Sequence, residues 1–197
     1  EKMNWWSGVD VETEKNGKVH VHTLKDALND MVDVPQRETD KPLRLPISGI
    51  YKIKGVGDVL AGRVEQGIVK PNEEVVFLPT HTASNPCVGK VFTIEMHHKE
   101  HPQAGPGDNV GMSLKGLPKA NMPRDGDMMI KKADTTIRQA ATFTVQAMVL
   151  DHPNQIKPGY SPNCYVRTSH AACRLMKINF KAGKKSASAK TPSTATR

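Results

Sequence analysis

Cysteine is scarce in this 197-residue chain, and none of Cys87, Cys164 and Cys173 belongs to a CxxC pair. Structural zinc sites use such spacings, so a zinc-stapled fold is not indicated. An odd number of thiols cannot all pair internally, and reduced cysteines in a cytoplasmic protein are expected. No apolar run is long enough to span a membrane, and the opening residues EKMNWWSG hold no secretory core. The chain begins with Glu1 rather than Met, which suggests a fragment boundary. A GxxxxGK[ST] loop is missing, so these residues carry no backbone cradle for nucleotide phosphates. Aromatic residues are only 5% of the chain while Gly and Pro are frequent, which favours a turn-rich β protein over a helical bundle.

The chain carries a net charge of +8, but it is unevenly spread. Lys177, Lys181, Lys184, Lys185, Lys190 and Arg197 account for six of those charges and no acid lies among them. The rest is therefore nearly neutral. Any contact with nucleic acid must rest on a local surface and not on overall basicity.

Residues 51–67, YKIKGVGDVLAGRVEQG, organise what is present. Tyr51 and Ile53 share one face and Lys52 and Lys54 the other. Val59, Ala61, Arg63 and Glu65 then share a parity, opposite Leu60 and Val64. Two period-two runs around Gly55-Val56-Gly57 predict a β-hairpin. Gly62, inside the second run, predicts a bulge, a bend or a close backbone approach. Further strand patterns fall at 43–53, 58–66, 74–78, 88–96, 109–114 and 128–130. They are separated by turn residues such as Lys70-Pro71-Asn72, Gly105-Pro106-Gly107-Asp108 and Arg124-Asp125-Gly126-Asp127. Short strands so spaced predict a closed antiparallel barrel with Ile53, Val64, Val75 and Val110 inside. Upstream, polar residues run to Lys18. Thr23 then caps a short helix in which Leu24, Ala27, Leu28 and Met31 form one apolar face, ended by Val34-Pro35. Residues 142–150 alternate as a strand, 163–175 read as a strand pair, and the Lys/Ser/Thr/Ala-rich end is expected to be disordered.

Enzymatic constellations find little support. His97, His98 and His101 cluster near Glu95 and Glu100, but successive strand residues face opposite ways and do not converge on a metal. Ser169-His170 and Asp151-His152 lack the ordering of a hydrolase triad.

A resemblance covers most of the chain to about Leu175. The run 51–67, TDKPLRLP before it, RVEQGIVKPNEEV, IEMHHKE (94–100), PGDNVGMSLKG (106–116), FTVQAMVLDHPNQIKPGYSP (143–162) and YVRTSHAAC (165–173) follow one another in family order. They resemble the elongation factor 1-alpha family, the eukaryotic and archaeal counterpart of elongation factor Tu. The resemblance implies an all-β fold: a translation-factor-type barrel followed by the start of a second barrel, with a short helix left from an α/β GTPase domain. It implies domains at 1–38 (end of the GTPase domain), 39–131 (second domain), 132–176 (partial third domain) and 177–197 (basic tail). Such proteins carry aminoacyl-tRNA to the ribosomal A site as a GTP complex. The expected partners are aminoacyl-tRNA, the ribosome and a guanine-nucleotide exchange factor, with no membrane or DNA. GTP and magnesium belong to the full-length family member, and no cofactor is expected in this chain.

The same resemblance assigns a 3′-end pocket. Glu95 matches an acidic residue that packs against the terminal adenine. Met96, His97 and His98 continue that strand beside the adenosine. Tyr51 and Asn109 match residues lining the aminoacyl pocket, and Arg167 falls where the third domain faces the tRNA stem. Gly49 stands where the family usually has an acid, which bears on capture of the substrate's amino group. Taken alone, each of these residues also suits ordinary barrel structure. A related release or rescue factor, and a truncated paralogue acting as a binding module, stay open as alternatives.

Overall fold

The computed structural model describes residues 3–179 apart from Lys15, Val34 and Pro153. It divides into two units, Glu1–Arg37 and Glu38–Arg197. The basic end of the chain lies outside the described residues from position 180 onward, as does Val34 in the expected helix stop.

The first unit opens with a hairpin that the polar composition concealed. Strands β1 (Val9–Thr13) and β2 (Gly17–Val21) pair antiparallel from Val9↔Val21 to Thr13↔Gly17. Valines at 9, 11, 19 and 21 alternate with charged or polar residues, a period-two pattern short enough to be overlooked. Thr23 then caps helix α1 (Leu24–Asp26) as expected. Its hydroxyl accepts from the Asp26 amide at 3.2 Å, and its own amide donates to the Asp26 carboxylate at 2.8 Å. Residues Ala27–Met31 continue as a π-helical turn. The wider turn breaks the 3.6-residue register, so Leu24, Ala27, Leu28 and Met31 form no single buried face. Leu24 and Leu28 are exposed.

The second unit is built on the expected barrel. Its strands are β3 (Leu45–Ile53), β4 (Gly57–Arg63), β5 (Glu74–Leu78), β6 (Val88–Met96), β8 (Asn109–Lys115) and β9 (Met128–Lys131), with β7 (Lys99–Glu100) folding back on β6. The order β5-β9-β3-β4-β8-β6 closes through pairing of β6 with β5, and all pairings are antiparallel. Alternation along the strands sends Leu45, Ile47, Leu60, Phe77, Ile94, Met112 and Met129 into one core, where they are fully buried. Val64, Val75 and Val110 join them, as the pattern predicts. Ile53 does not: it is 47% exposed. The reason is register. β8 pairs with β4 only from Val59 to Arg63 and β9 reaches β3 only at Leu45 and Pro46, so the β3–β4 tip projects past its neighbours. Ile53 pairs with Gly57 out there, around a turn in which Gly55 and Gly57 take positive φ.

Gly62 marks a close approach. A Cβ built there would lie 2.5 Å from the Pro46 carbonyl oxygen and 2.5 Å from Leu45 Cδ2. The neighbouring β3 carries the irregularity itself, with a register shift between Ile47 and Gly49 at Ser48.

Beyond the barrel, the expected strand at 142–150 is not formed. Its alternation suits a strand, but a strand needs a ladder partner for its amides, and the described residues supply none. Phe143, Val145, Met148, Val149 and Leu150 are exposed. The strand pair at 163–175 does form, as β10 (Asn163–Val166) and β11 (Ser169–Ala172), and makes a two-stranded sheet by itself.

Where the chain leaves β9, Asp134 is pinned to the barrel. Arg44 Nη1 donates to its carboxylate and to the Leu43 carbonyl, while Thr136 donates to it through both amide and hydroxyl. Burial opposes the charge on Asp134, but the hydrogen bonds from Thr136 and Arg44 outweigh it, so the carboxyl titrates below its ordinary range. A carboxyl lowered by folding stabilises above its unfolded pKa of about 4 and loses that contribution as pH falls through the lower folded value. Removing one partner of a nearly buried pair strands the other. Asp134→Ala is therefore expected to cost about 2–3 kcal/mol at neutral pH. Urea unfolding followed from pH 7 down to pH 2 tests this: the gap between wild type and variant should narrow in acid, and a gap constant with pH would contradict the assignment.

Candidate functional site

Four strands place one row of residues across the outside of the barrel. Gly49 pairs with Ala61, Ala61 with Gly111, and Gly111 with Glu95. The next residues along these strands, Leu60, Met112 and Ile94, are buried, so the row faces outward. Three of its four members have little or no side chain. The result is a flat trough with a carboxylate at one end.

Ala61, Gly111 and Glu95 of this row line an open groove of about 410 Å³, and Gly49 lies outside it. Glu95, Met96 and His97 form one wall with Asn109, while Ser48, Arg63 and Thr168 approach from other elements. Register explains the grouping: Asn109 lies directly opposite Arg63 on β4. Of the seven residues expected from sequence, the groove brings together Glu95, Met96, His97 and Asn109.

Tyr51, His98 and Arg167 sit otherwise. Tyr51 is 56% exposed, yet its ring folds back along β3. A Cβ at Gly49 would meet the Tyr51 hydroxyl at 2.7 Å. The phenol thus covers Gly49 and does not line the groove. His97 and His98 are not successive strand residues as the pattern suggested. They are the two central residues of the β6–β7 turn, both left-handed at φ 51° and 60°. Such φ values suit Asn or Gly better, and the turn swings His97 into the groove without His98. Arg167, at the β10–β11 turn with φ 54°, gives its Nε proton to Glu65 at 2.5 Å and so is held in an ion pair. Its neighbour Thr168 reaches the groove instead.

Sequence reasoning missed Ser48, Arg63 and Thr168. Arg63 carried a usable signal, because it shares the outward parity of Val59 and Ala61. Ser48 donates to the Ala61 carbonyl at 3.2 Å from its bulge, which no periodicity announces. A second hollow, of about 340 Å³, lies around Phe92, Pro71, His101 and Pro102 and holds none of the expected residues.

The chemistry available in the groove is shape and hydrogen bonding: a floor of small residues, a carboxylate, an amide, an imidazole and a guanidinium. Flat faces and mixed donors and acceptors suit an unpaired nucleotide end, whose base exposes its face and edges.

Residues 57–129 match the family model described as elongation factor Tu domain 2. Over 190 residues the chain is 40% identical to elongation factor 1-alpha of Absidia glauca, covering 93% of this chain and 39% of that protein. The chain belongs to the elongation factor 1-alpha/elongation factor Tu family. Elongation factor 1-alpha of Blastobotrys adeninivorans is also 40% identical, over 186 residues, with 92% of this chain and 39% of that protein covered. The chain thus spans under half the length of the curated family members it matches. Among solved structures, translation elongation factor SelB from Methanococcus maripaludis, in its apo form, aligns with a TM-score of 0.44 and 27% identity over 55% of this chain and 22% of that one. The family's barrel is the part of the chain that carries the groove.

The covering of Gly49 by Tyr51 is open to test. The obstructing atoms are the far end of a flexible side chain, so Gly49→Ala should displace the ring at a cost of about 1 kcal/mol or less. The ring resonances of Tyr51, assigned with a Tyr51→Phe variant, should move in Gly49→Ala. Unmoved resonances would show that the ring does not rest on this glycine.

Proposed function

We propose that this chain is a piece of a translation elongation factor that delivers aminoacyl-tRNA to the ribosomal A site in a GTP-dependent manner. In this reading the groove receives the aminoacylated 3′ end. The observation that supports it most is the convergence of Glu95, Met96, His97 and Asn109 on one groove floored by small residues. The terminal base lies against Glu95 and Met96, with Glu95 accepting from an exposed base or sugar edge. Asn109 and Arg63 stand where the esterified amino acid would enter. A wide, shallow floor tolerates many amino-acid side chains, as a carrier of all of them needs. Arg167, held by Glu65, serves the stem only if that ion pair opens. GTP and its magnesium are bound by the complete protein, and so are the ribosome and the exchange factor.

One observation favours a second reading, a barrel kept as a binding module without the tRNA role. Tyr51 occupies the space over Gly49 in which the family usually has a carboxylate for the substrate's amino group.

A titration with aminoacylated and deacylated tRNA at moderate salt separates the two. The basic end of the chain will bind both tRNAs non-specifically, with an affinity that falls as salt rises. A carrier should prefer the aminoacylated form several-fold, weakly overall because linked domains of the full protein are missing. Glu95→Ala and Asn109→Ala should each abolish the preference, a loss of about 1–2 kcal/mol. Identical binding of both tRNAs by wild type and variants would remove the carrier reading.

A further inference from the structure

The first unit holds a histidine whose two ring nitrogens both face oxygen acceptors. His20 lies opposite Asp10 in the β1–β2 hairpin. Its Nδ1 is 2.6 Å from the Asp10 carboxylate, and its Nε2 is 3.1 Å from the Ser7 carbonyl oxygen. An ionised carboxylate and a carbonyl can only accept, so both nitrogens must donate. Neutral imidazole has a single N–H, and only the imidazolium has two. The geometry is therefore that of a charged histidine.

The local chain path builds this arrangement. Gly8 takes φ +87°, which brings Ser7 back toward β2. A Cβ at Gly8 would lie 2.5 Å from His20 Nε2 and 2.9 Å from the Val21 carbonyl oxygen, so the ring rests directly on the glycine. A second attachment comes one residue before Ser7, where Trp6 Nε1 donates to the His22 carbonyl at 2.7 Å. Trp5 meets the Trp6 ring edge to face, with centroids 6.2 Å apart. The strand ladder starts only at Val9↔Val21. Side chains, and not ladder bonds, tie the Trp5–Ser7 segment to the hairpin.

We infer that His20 is a proton-controlled latch that holds the Trp5–Trp6 segment against this hairpin. With both protons, the ring joins Asp10 to Ser7. Loss of one proton to solvent leaves one N–H. It stays on Nδ1, because a hydrogen bond to a carboxylate is the stronger of the two. Nε2 then turns a lone pair toward the Ser7 carbonyl oxygen, and attraction becomes repulsion. The latch opens at Ser7 while Asp10 keeps the ring in place.

The surroundings set the sign. Asp10 on β1 faces the ring, and Glu12 with Lys18 forms the next cross-strand pair on the same face. His22 follows just past β2, and Asp26 of α1 adds a further negative charge. The hydrogen bond to Asp10 holds the His20 pKa above its ordinary value of about 6.5, and it outweighs the opposing desolvation. A histidine raised in this way stabilises the folded arrangement fully below its unfolded pKa. That contribution is lost as pH rises through the folded value. The latch is closed in mild acid and opens above the ordinary histidine range.

The test is an NMR titration of the full chain from about pH 5.5 to 9. The signals of His20 and Trp6 are assigned by their loss in His20→Gln and Trp6→Phe. The His20 midpoint should fall in Asp10→Asn, and above the midpoint the ring nitrogen shifts should place the remaining proton on Nδ1. The Trp6 indole N–H resonance should move with the His20 midpoint. Because His22 supplies the carbonyl that Trp6 bonds, its own titration is separated by variants: the Trp6 movement should persist in His22→Gln and vanish in His20→Gln. A midpoint unchanged by Asp10→Asn would overturn the charged pair, and a remaining proton on Nε2 would overturn the opening step. A Trp6 indole that ignores His20, or that responds only while His22 is present, would overturn the latch.

Discussion

Closure of one sheet on itself governs this structure. Only three residue pairs join β5 to β6, Glu74↔Lys90, Val75↔Gly89 and Val76↔Val88, yet they turn a ribbon of strands into a barrel. Closure removes the unpaired edges that would otherwise recruit other chains. It also forces every inward side chain into one shared core, so Phe77 from β5 meets Leu60 from β4 and Met112 from β8. A barrel this small bends its strands sharply. The close packing is accommodated at Gly62, beneath the Pro46 carbonyl, and the strand irregularity falls at Ser48. The outer row of Gly49, Ala61 and Gly111 belongs to the same bent region. The small residues that line the groove, Ala61, Gly62 and Gly111, thus adjoin the close backbone approach at Gly62.

The barrel was legible because its signals are local and repeated. Alternation gave the strands, turn residues gave the connections, and even the crowding at Gly62 was announced by a glycine inside a strand. What escaped depended on partners. Ile53 alternates correctly but falls on a hairpin tip that no neighbour covers. Residues 142–150 have strand character with nothing to pair against among the described residues. The β1–β2 hairpin alternates too, but its charged half hid its valines. The helix at Thr23 starts by its capping box and then changes pitch, since nothing in the sequence dictates a π turn.

The site was legible through motifs more than through physics. EMHHKE and DNVGM place Glu95, Met96 and Asn109 on adjacent strands with His97 in the turn that follows Met96, and register then brings them to one groove. Motifs say less about side-chain direction. Tyr51 keeps its position in the run yet lies along its own strand, because the glycine two residues before it leaves room. The histidines at 97 and 98 read as strand and became a turn, which separates them. Arg167 read as a phosphate contact and met Glu65, a residue distant in sequence whose proximity no local pattern reports.

The two ion pairs at Arg44–Asp134 and Glu65–Arg167 have a joint consequence for the stretch between them. Both ends of the run from Asp134 to Arg167 are fastened to the same barrel, so it behaves as a closed polymer loop and not as a free tail. The entropy lost in closing such a loop grows only with the logarithm of its length. Insertions or deletions in its irregular middle would therefore hardly change the cost of holding the far end in place. Thr168 is kept at a high effective concentration over the groove, of the millimolar order typical of short tethers, whatever path the intervening residues take.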